Sequence, residues 1–258
     1  MVKKFIAIFC ITVLTVFSAC SKNKESVKES VEVSDLSLFL QVVQGVEEAD
    51  SFYTVAEGCT KSVGVKQKIS ARRYVIGDTL FKESISYSGI VKVANQTYVS
   101  SGKYLLRESK KVSSVSDVEW EDTATDLGES EYLSRYGSVI LGLNNYILNE
   151  QTVTGISLTK GDVYEFVVTA DVVESTKHIV KEMRTNANSK EDPIFTSVKM
   201  TVKTTKSLEV ISVKYECSYK IKIAVLGKVE CSEDMTEYFY GFNQTESFPE
   251  QSFFNSFL

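Results

Sequence analysis

The sequence has very little of the residues and motifs that carry most enzyme chemistry. His178 is its only histidine, and the chain has no G-x-S-x-G nucleophile elbow, no H-E-x-x-H zinc motif and no P-loop. A lone histidine on a predicted helix is more often a packing or surface residue than a catalytic base. With one histidine and no C-x-x-C spacing, a zinc-type ligand set is also missing. We therefore expect a protein that is not an enzyme and that needs neither a cofactor nor a metal.

Clustered positive charge is also absent. The chain has 29 Lys and Arg against 34 Asp and Glu, a net charge of −5, and no run of basic residues forms a patch. Binding to nucleic-acid phosphates requires such a patch. The composition therefore argues against a nucleic acid as partner.

The first 20 residues have the three-part layout of a secretory signal. Lys3 and Lys4 precede an apolar stretch that ends in Ser18 and Ala19, and this stretch is too short to span a bilayer comfortably. The segment VFSAC, residues 16–20, resembles the bacterial lipobox, in which the cysteine thiol receives a diacylglyceryl group and the signal is cut before it. The resemblance implies that Cys20 is the lipid-attachment site. A plain signal peptide cleaved elsewhere and an uncleaved N-terminal anchor are the alternatives.

The N-terminal segment, residues 1–20, predicts how the chain is divided and where the protein is located. Residues 1–19 are the signal peptide, 20–34 the lipidated cysteine with a polar tether, and 35–258 a single domain with ample material for a core. Each buried methylene of an acyl chain contributes about 0.8 kcal/mol, so two or three chains would hold the protein firmly. We expect a protein of the cell membrane, lipid-anchored on the extracytoplasmic side.

Three cysteines remain in the predicted domain, namely Cys59, Cys217 and Cys231. An odd number allows at most one internal disulfide. A hairpin that turns near residues 227–228 would place Cys217 opposite Tyr238. Cys231 would then lie opposite Ala224, too far from Cys217 for a bridge within one ladder. We predict mostly free, buried thiols.

The first half of the domain is predicted to be one helix followed by strands. Apolar residues recur at helical spacing after Ser34 and Asp35, either of which can cap the first turn, and this predicts a helix over about 35–48. Residues 52–108 are rich in Val, Ile, Tyr and Thr and predict four antiparallel strands. The stretch 109–128 is expected to be a loop or cover. The expected turns are Gly77-Asp78, Ala94-Asn95 and Ser101-Gly102.

The second half combines helices with longer strands. Tyr132, Tyr136, Leu143 and Ile147 recur at helical intervals and predict an amphipathic helix over 129–148. The other predicted elements are strands at 153–158 and 163–170, a third helix over about 172–187 and a break over 186–193.

The clearest strand pattern lies near the C-terminus. Apolar and polar residues alternate over 213–225, which puts one face inward and a charged face outward. Residues 198–202 and 229–240 continue this pattern, and the short connections favour an antiparallel meander. We take the inward face as a candidate ligand-binding groove face, formed by Val213, Tyr215, Tyr219, Ile221 and Ile223.

The order of these elements, with the segment Lys160-Gly161-Asp162-Val163-Tyr164-Glu165-Phe166-Val167-Val168-Thr169, resembles the LolA and LppX half-barrel superfamily of bacterial lipoproteins. The resemblance covers roughly residues 35–245. It implies an α+β fold in which a curved antiparallel sheet, a half-barrel, carries helices on its concave face. It also implies a lipid or another apolar or amphiphilic molecule as ligand of the groove.

Two other functions stay open from the sequence. An interaction or scaffolding lipoprotein would have a fully packed core and would bind a protein partner through its outer surface. A cell-envelope hydrolase would need a carboxylate pair, and Glu119, Glu121 and Asp122 beside Trp120 form a cluster with an aromatic companion. Carboxylates adjacent in sequence more often belong to a solvated loop.

Overall fold

The structure, a computed structural model, describes residues 34–244 apart from 63, 90, 141, 188 and 224–226. The predicted signal peptide, Cys20 and nearly all of the predicted tether lie outside the described residues. Within the described residues, the main element is a curved, unclosed antiparallel sheet of 12 strands, accompanied by three helices. The predicted α+β class with a half-barrel sheet is confirmed.

Two meanders form this sheet and meet where strand β1 pairs with strand β12. The N-terminal meander consists of β1 (Ser51–Ser62), β2 (Val65–Ile76), β3 (Thr79–Tyr87), β4 (Lys92–Ser100) and β5 (Lys103–Ser114), with β6 (Asp117–Trp120) and β7 (Thr125–Asp126) paired to β5. The C-terminal meander consists of β8 (Val153–Lys160), β9 (Tyr164–Ala170), β10 (Ile194–Thr204), β11 (Val210–Ile223) and β12 (Gly227–Tyr240). The face of the sheet that carries the helices is called the inner face below.

The N-terminal meander corrects three predictions. Five strands, β1 to β5, are found where four were predicted, because the chain also changes strand between Ser62 and Val65. Ala94-Asn95 is not a turn but lies inside β4, where Asn95 pairs with residues of both β3 and β5. The expected loop over 109–128 instead continues β5 and returns as β6. Trp120 closes that hairpin by packing on a small cluster that includes Val112, and this apolar contact favours strand over loop. The turns at Gly77-Asp78 and Ser101-Gly102 are confirmed.

Helix α1 (Asp35–Glu47) begins where the sequence predicted. The Ser34 hydroxyl oxygen accepts a hydrogen bond from the Ser37 amide at 3.2 Å, which caps the first turn. The buried residues follow the helical period, so one face of the helix packs against the sheet, and the rings of Phe39 and Phe166 lie 5.8 Å apart. The buried residues of α1 are Phe39, Val42, Val43 and Val46.

Helix α2 (Gly128–Tyr136) is much shorter than the helix predicted over 129–148. It ends at Tyr136 because Gly137, with a φ of 84°, caps it, and the chain then runs irregularly over the inner face. Asn145 explains why residues after Tyr136 do not continue the helix despite their helical apolar spacing. Its buried side-chain amide donates to the Tyr136 carbonyl at 2.7 Å and its oxygen accepts from the Ser138 hydroxyl at 2.6 Å, so it replaces helical hydrogen bonds. Residues 137–140 and 142–149 are called the covering segment below.

Helix α3 (Ile179–Asn186) is also shorter than the prediction of about 172–187. The Asp171 carboxylate accepts hydrogen bonds from the amides of Val173 and Glu174, at 2.9 and 2.7 Å. The buried Thr176 hydroxyl donates to the Val172 carbonyl at 2.8 Å. These local hydrogen bonds hold residues 171–178 as turns, so the helix begins only at Ile179.

The last hairpin has a different register from the prediction. Cys217 lies opposite Glu233, and Cys231 opposite Tyr219, because the strands pair up to Ile223 and Gly227. This register places Val229, Cys231 and Met235 inward beside the inward residues of β11, whereas the predicted register would have turned them outward. All three cysteines of the domain are free, with Cys217 and Cys231 buried and Cys59 half-buried.

Candidate functional site

A groove of about 880 Å³ opens on the inner face of the sheet. Strands β1, β2, β3 and β12 form its floor, whereas α3 and the covering segment form its walls. This volume is in the usual range for sites that bind small molecules. Its apolar lining includes Ala56, Val65, Ile69, Ala71, Ile140, Ile179, Met183, Tyr219, Ile221 and Met235.

Small residues on neighbouring strands keep the floor of the groove low. Ala56 pairs with Ala71, and Ala71 pairs with Ser84, so one row across β1, β2 and β3 carries almost no side-chain volume. Neighbouring strands lie about 4.8 Å apart, so this row spans roughly 10 Å. In the next row Gly58 faces Met235 so closely that a Cβ would lie 2.5 Å from the Met235 Cα. Larger side chains along these rows would occupy the space of the groove.

Helix α3 is held above the floor by polar contacts to both sides of the groove. The Lys82 ammonium of β3 forms an ion pair with Glu182 of α3. Asn95 of β4 donates to the Asn186 side-chain oxygen at 3.2 Å. On the other side, the Thr185 hydroxyl donates to a carbonyl of α2 at 2.9 Å. These contacts fix α3 as a wall of the groove rather than as a lid packed onto its floor.

A buried cluster around Arg73 ties the covering segment to the sheet. The Arg73 guanidinium pairs with Glu237 at 3.0 Å and donates to the carbonyls of Ile140 and Gly142 at 3.2 and 2.6 Å. The Tyr215 hydroxyl donates to the other oxygen of Glu237 at 3.0 Å. The side chains of Arg73 and Glu237 are only 4% and 7% exposed, so each buried charge needs the other to compensate for its loss of water. We call these five groups the Arg73 cluster.

Glu233 is the chemically unusual residue of the groove. It lies on the inner face of β12 and lines the groove, and its carboxyl has neither a hydrogen bond nor an ion pair among the described residues. The pKa of its carboxyl is raised to about 7, mainly by removal from water and also by the negative charge of Glu182. The positive charge of Lys82 opposes both effects.

The buried thiol and phenol behind Glu233 are inert. The Tyr146 hydroxyl and the Cys217 sulfur lie 3.2 Å apart, and burial raises the pKa of the Cys217 thiol to about 12. Burial also raises the pKa of Tyr146. Because a thiolate is the reactive form of cysteine, Cys217 is a packing residue.

The structure separates the predicted groove face of β11 into two environments. Tyr219 and Ile221 line the groove. Val213 and Tyr215 lie on the same face but are buried in the core, and Tyr215 stacks on Tyr146 of the covering segment at 5.7 Å. The side chain of Ile223 lies outside the described part. A ligand-binding role for these residues stays a prediction.

Most of the groove was missed by the sequence analysis. The floor lies on β1, β2 and β3, and the one free carboxyl facing it in the described chain lies on β12. A signal was present: inward positions of β1 read Thr54, Ala56, Gly58, Thr60 and Ser62. Such small, weakly apolar residues at alternate positions of a central strand indicate an inner face that is not filled.

The other candidates from the sequence lie on the surface. His178 flanks α3, and partial burial lowers its pKa. In the β5–β6 hairpin region, Glu119 and Asp122 form ion pairs with Lys111 and Lys110. The hydrogen bond from Lys110 lowers the pKa of Asp122, which is the opposite of what a general acid needs.

Neither a membrane-spanning helix nor a metal site is found within the described ranges. No helix there is both long and apolar enough to cross a bilayer. Those residues also contain no group of three or more His, Cys, Asp or Glu side chains arranged to hold a metal ion.

Comparisons with known proteins identify no family. No protein-family model matches the chain, and no curated protein matches it. Among solved structures, a DUF1329 family protein from Desulfovibrio piger is similar with a TM-score of 0.31 and 10% identity, covering 84% of this chain and 96% of that one.

Proposed function

We propose that this protein is a non-enzymatic lipoprotein of the LolA and LppX type that holds an apolar or amphiphilic molecule in its groove. The observation that carries the proposal is the row of Ala56, Ala71 and Ser84, which leaves an open, mainly apolar space where the sheet could have been packed. Apolar surface that remains open inside a fold is typical of a ligand site.

The experiment uses residues 21–258, which include every described residue, and the uncharged apolar dye diphenylhexatriene. The dye should fluoresce on binding to the wild type. Ala71→Phe should abolish this signal because the ring would occupy the floor. Ser70→Phe is the matched control, since neighbouring residues of a strand point to opposite faces. The proposal fails if the wild type does not bind the dye, or if both variants bind it equally.

We further propose that Cys20 carries acyl chains that hold the protein on the extracytoplasmic side of a membrane. The lipobox-like segment 16–20 and the polar residues 21–34 support this location. Growth with a labelled fatty-acid analogue should mark the wild type and leave Cys20→Ala unmarked. The wild type should also resist extraction by high salt because the attachment is hydrophobic. An unmarked wild type would contradict lipidation.

A second candidate function is binding of a protein partner through the outer face. Tyr240 and Tyr53 stack there at 5.0 Å, and Tyr238 and Tyr240 remain 45% and 43% exposed. Exposed tyrosines are common in protein interfaces. A surface role predicts that the domain captures a protein partner, that Tyr238→Ser with Tyr240→Ser abolishes this capture, and that Ala71→Phe preserves it. The groove function predicts instead that Ala71→Phe abolishes dye binding and that the two tyrosine substitutions preserve it.

A further inference from the structure

We propose that the ligand of the groove is an amphiphile with a cationic amine head group, and that Glu233 binds this head group. The inference rests on the proposed function, because it assigns a ligand class to the same groove. It starts from the position of Glu233, a carboxyl on the floor side of an apolar groove without a hydrogen bond or ion pair among the described residues. A carboxylate in such surroundings is costly unless a partner is supplied.

The charges that face Glu233 leave one negative charge uncompensated. Lys82 of β3 already pairs with Glu182 of α3, and Arg73 already pairs with Glu237. The groups facing Glu233 from β11 and the covering segment are Cys217, Tyr219 and Tyr146, whose raised pKa values keep them neutral.

The two remaining cations of the lining do not change this balance. Arg72 pairs with Glu83 at 2.9 Å. Lys92 is exposed on β4, with its ammonium 5.9 Å from the Tyr87 ring centroid. The interior of the groove therefore lacks one positive charge when Glu233 is ionised, and a ligand ammonium would supply it through a charge-assisted hydrogen bond.

The apolar part of the same ligand has a matching surface. Met235 and Ile69 lie in the row next to Glu233, and Tyr219 and Ile221 continue the lining on β11. An amine at Glu233 would therefore leave an attached alkyl chain against apolar side chains. An anionic head group at the same place would instead meet both Glu233 and Glu182.

The test compares dodecylammonium with dodecanoate, which share a chain length and differ in head-group charge. Each displaces diphenylhexatriene from residues 21–258 at pH 8, below its micelle-forming concentration. We expect dodecylammonium to bind at least about tenfold more tightly, as one charge-assisted hydrogen bond allows. Glu233→Gln should remove most of this preference. Asp234→Asn makes the same charge change at the next residue, which faces outward beside Lys214, and should keep the preference.

The pH dependence provides a second readout. Dodecylammonium should bind more tightly to the wild type as the pH rises from 6 to 8, because Glu233 ionises, and this rise should be absent in Glu233→Gln. Equal binding of both amphiphiles, or tighter binding of dodecanoate, would overturn the head-group assignment while leaving the groove function intact. A wild type that binds the dye but shows the same affinities as Glu233→Gln would also overturn it. A wild type that binds neither dye nor amphiphile would overturn the groove function itself.

Discussion

Replacing Arg73 by methionine should detach the covering segment from the sheet at a large cost in stability. Methionine retains part of the apolar contact but removes the guanidinium. Glu237 would then be buried with only the Tyr215 hydroxyl as partner, and the carbonyls of Ile140 and Gly142 would lose their donor. Breaking a buried ion pair from one side costs about 3–5 kcal/mol, so we expect the free energy of unfolding to fall by about 4 kcal/mol.

Urea unfolding followed by circular dichroism measures this loss, and two further variants make the result interpretable. Arg72→Met is the comparison variant, since Arg72 is the next residue and its side chain is 42% exposed; its partner Glu83 is only 10% exposed but keeps a hydrogen bond from Gln96, so we expect a smaller loss of about 1–2 kcal/mol. Arg73→Met combined with Glu237→Met should be more stable than Arg73→Met alone, because no unpaired carboxylate remains. If Arg73→Met costs no more than Arg72→Met, the Arg73 cluster does not hold the covering segment.

Three other measurements follow from the structure. Because the pKa of Glu233 is raised from 4.5 to about 7, the native state binds its proton more tightly than the unfolded state. The free energy of unfolding should therefore fall as pH rises from about 4.5 to about 7, by less than about 3 kcal/mol because the groove admits water, and Glu233→Gln should flatten that profile. A Cβ at Gly137 would lie 2.6 Å from the His178 carbonyl oxygen, so Gly137→Ala should cost about 2 kcal/mol or more. Gly77→Ala, at a φ of 53° with open space around it, should cost less, and equal losses would contradict the contact. Alkylation of the unfolded, unreduced domain should modify three thiols, whereas a single modification would reveal a disulfide.

Secondary structure could be predicted from the sequence where no local side-chain hydrogen bond or glycine opposed the apolar periodicity. Over 213–221 the alternation of apolar and polar residues gave the correct inward face, because burial on one side fixes which side chains turn in. The start of α1 followed from Ser34 as a cap and from the spacing of its buried residues. Residues 129–148 show the limit: their apolar spacing is helical, but Gly137 and the side-chain bonds of Asn145 stop the helix at Tyr136.

The groove was harder to predict because it depends on pairing between distant strands. Ala56, Ala71 and Ser84 are unremarkable in isolation, and only the register of β1, β2 and β3 brings them into one row. Glu233 reads as a charged residue in a mixed strand until the pairing of β12 with β1 and β11 turns it inward. The Arg73–Glu237 pair joins residues 164 positions apart, a separation that no local pattern encodes.

The presence of a ligand in the native protein tests the central claim most directly. Residues 21–258, which lack the proposed lipidation site, should be exported from a bacterium, purified without detergent and extracted with organic solvent, and the extract analysed by mass spectrometry beside that of Ala71→Phe. We predict a near-stoichiometric amphiphile from the wild type, with an amino group, and little or none from Ala71→Phe. An extract of the wild type that contains no such molecule, from a protein that also leaves diphenylhexatriene unbound, would contradict the account.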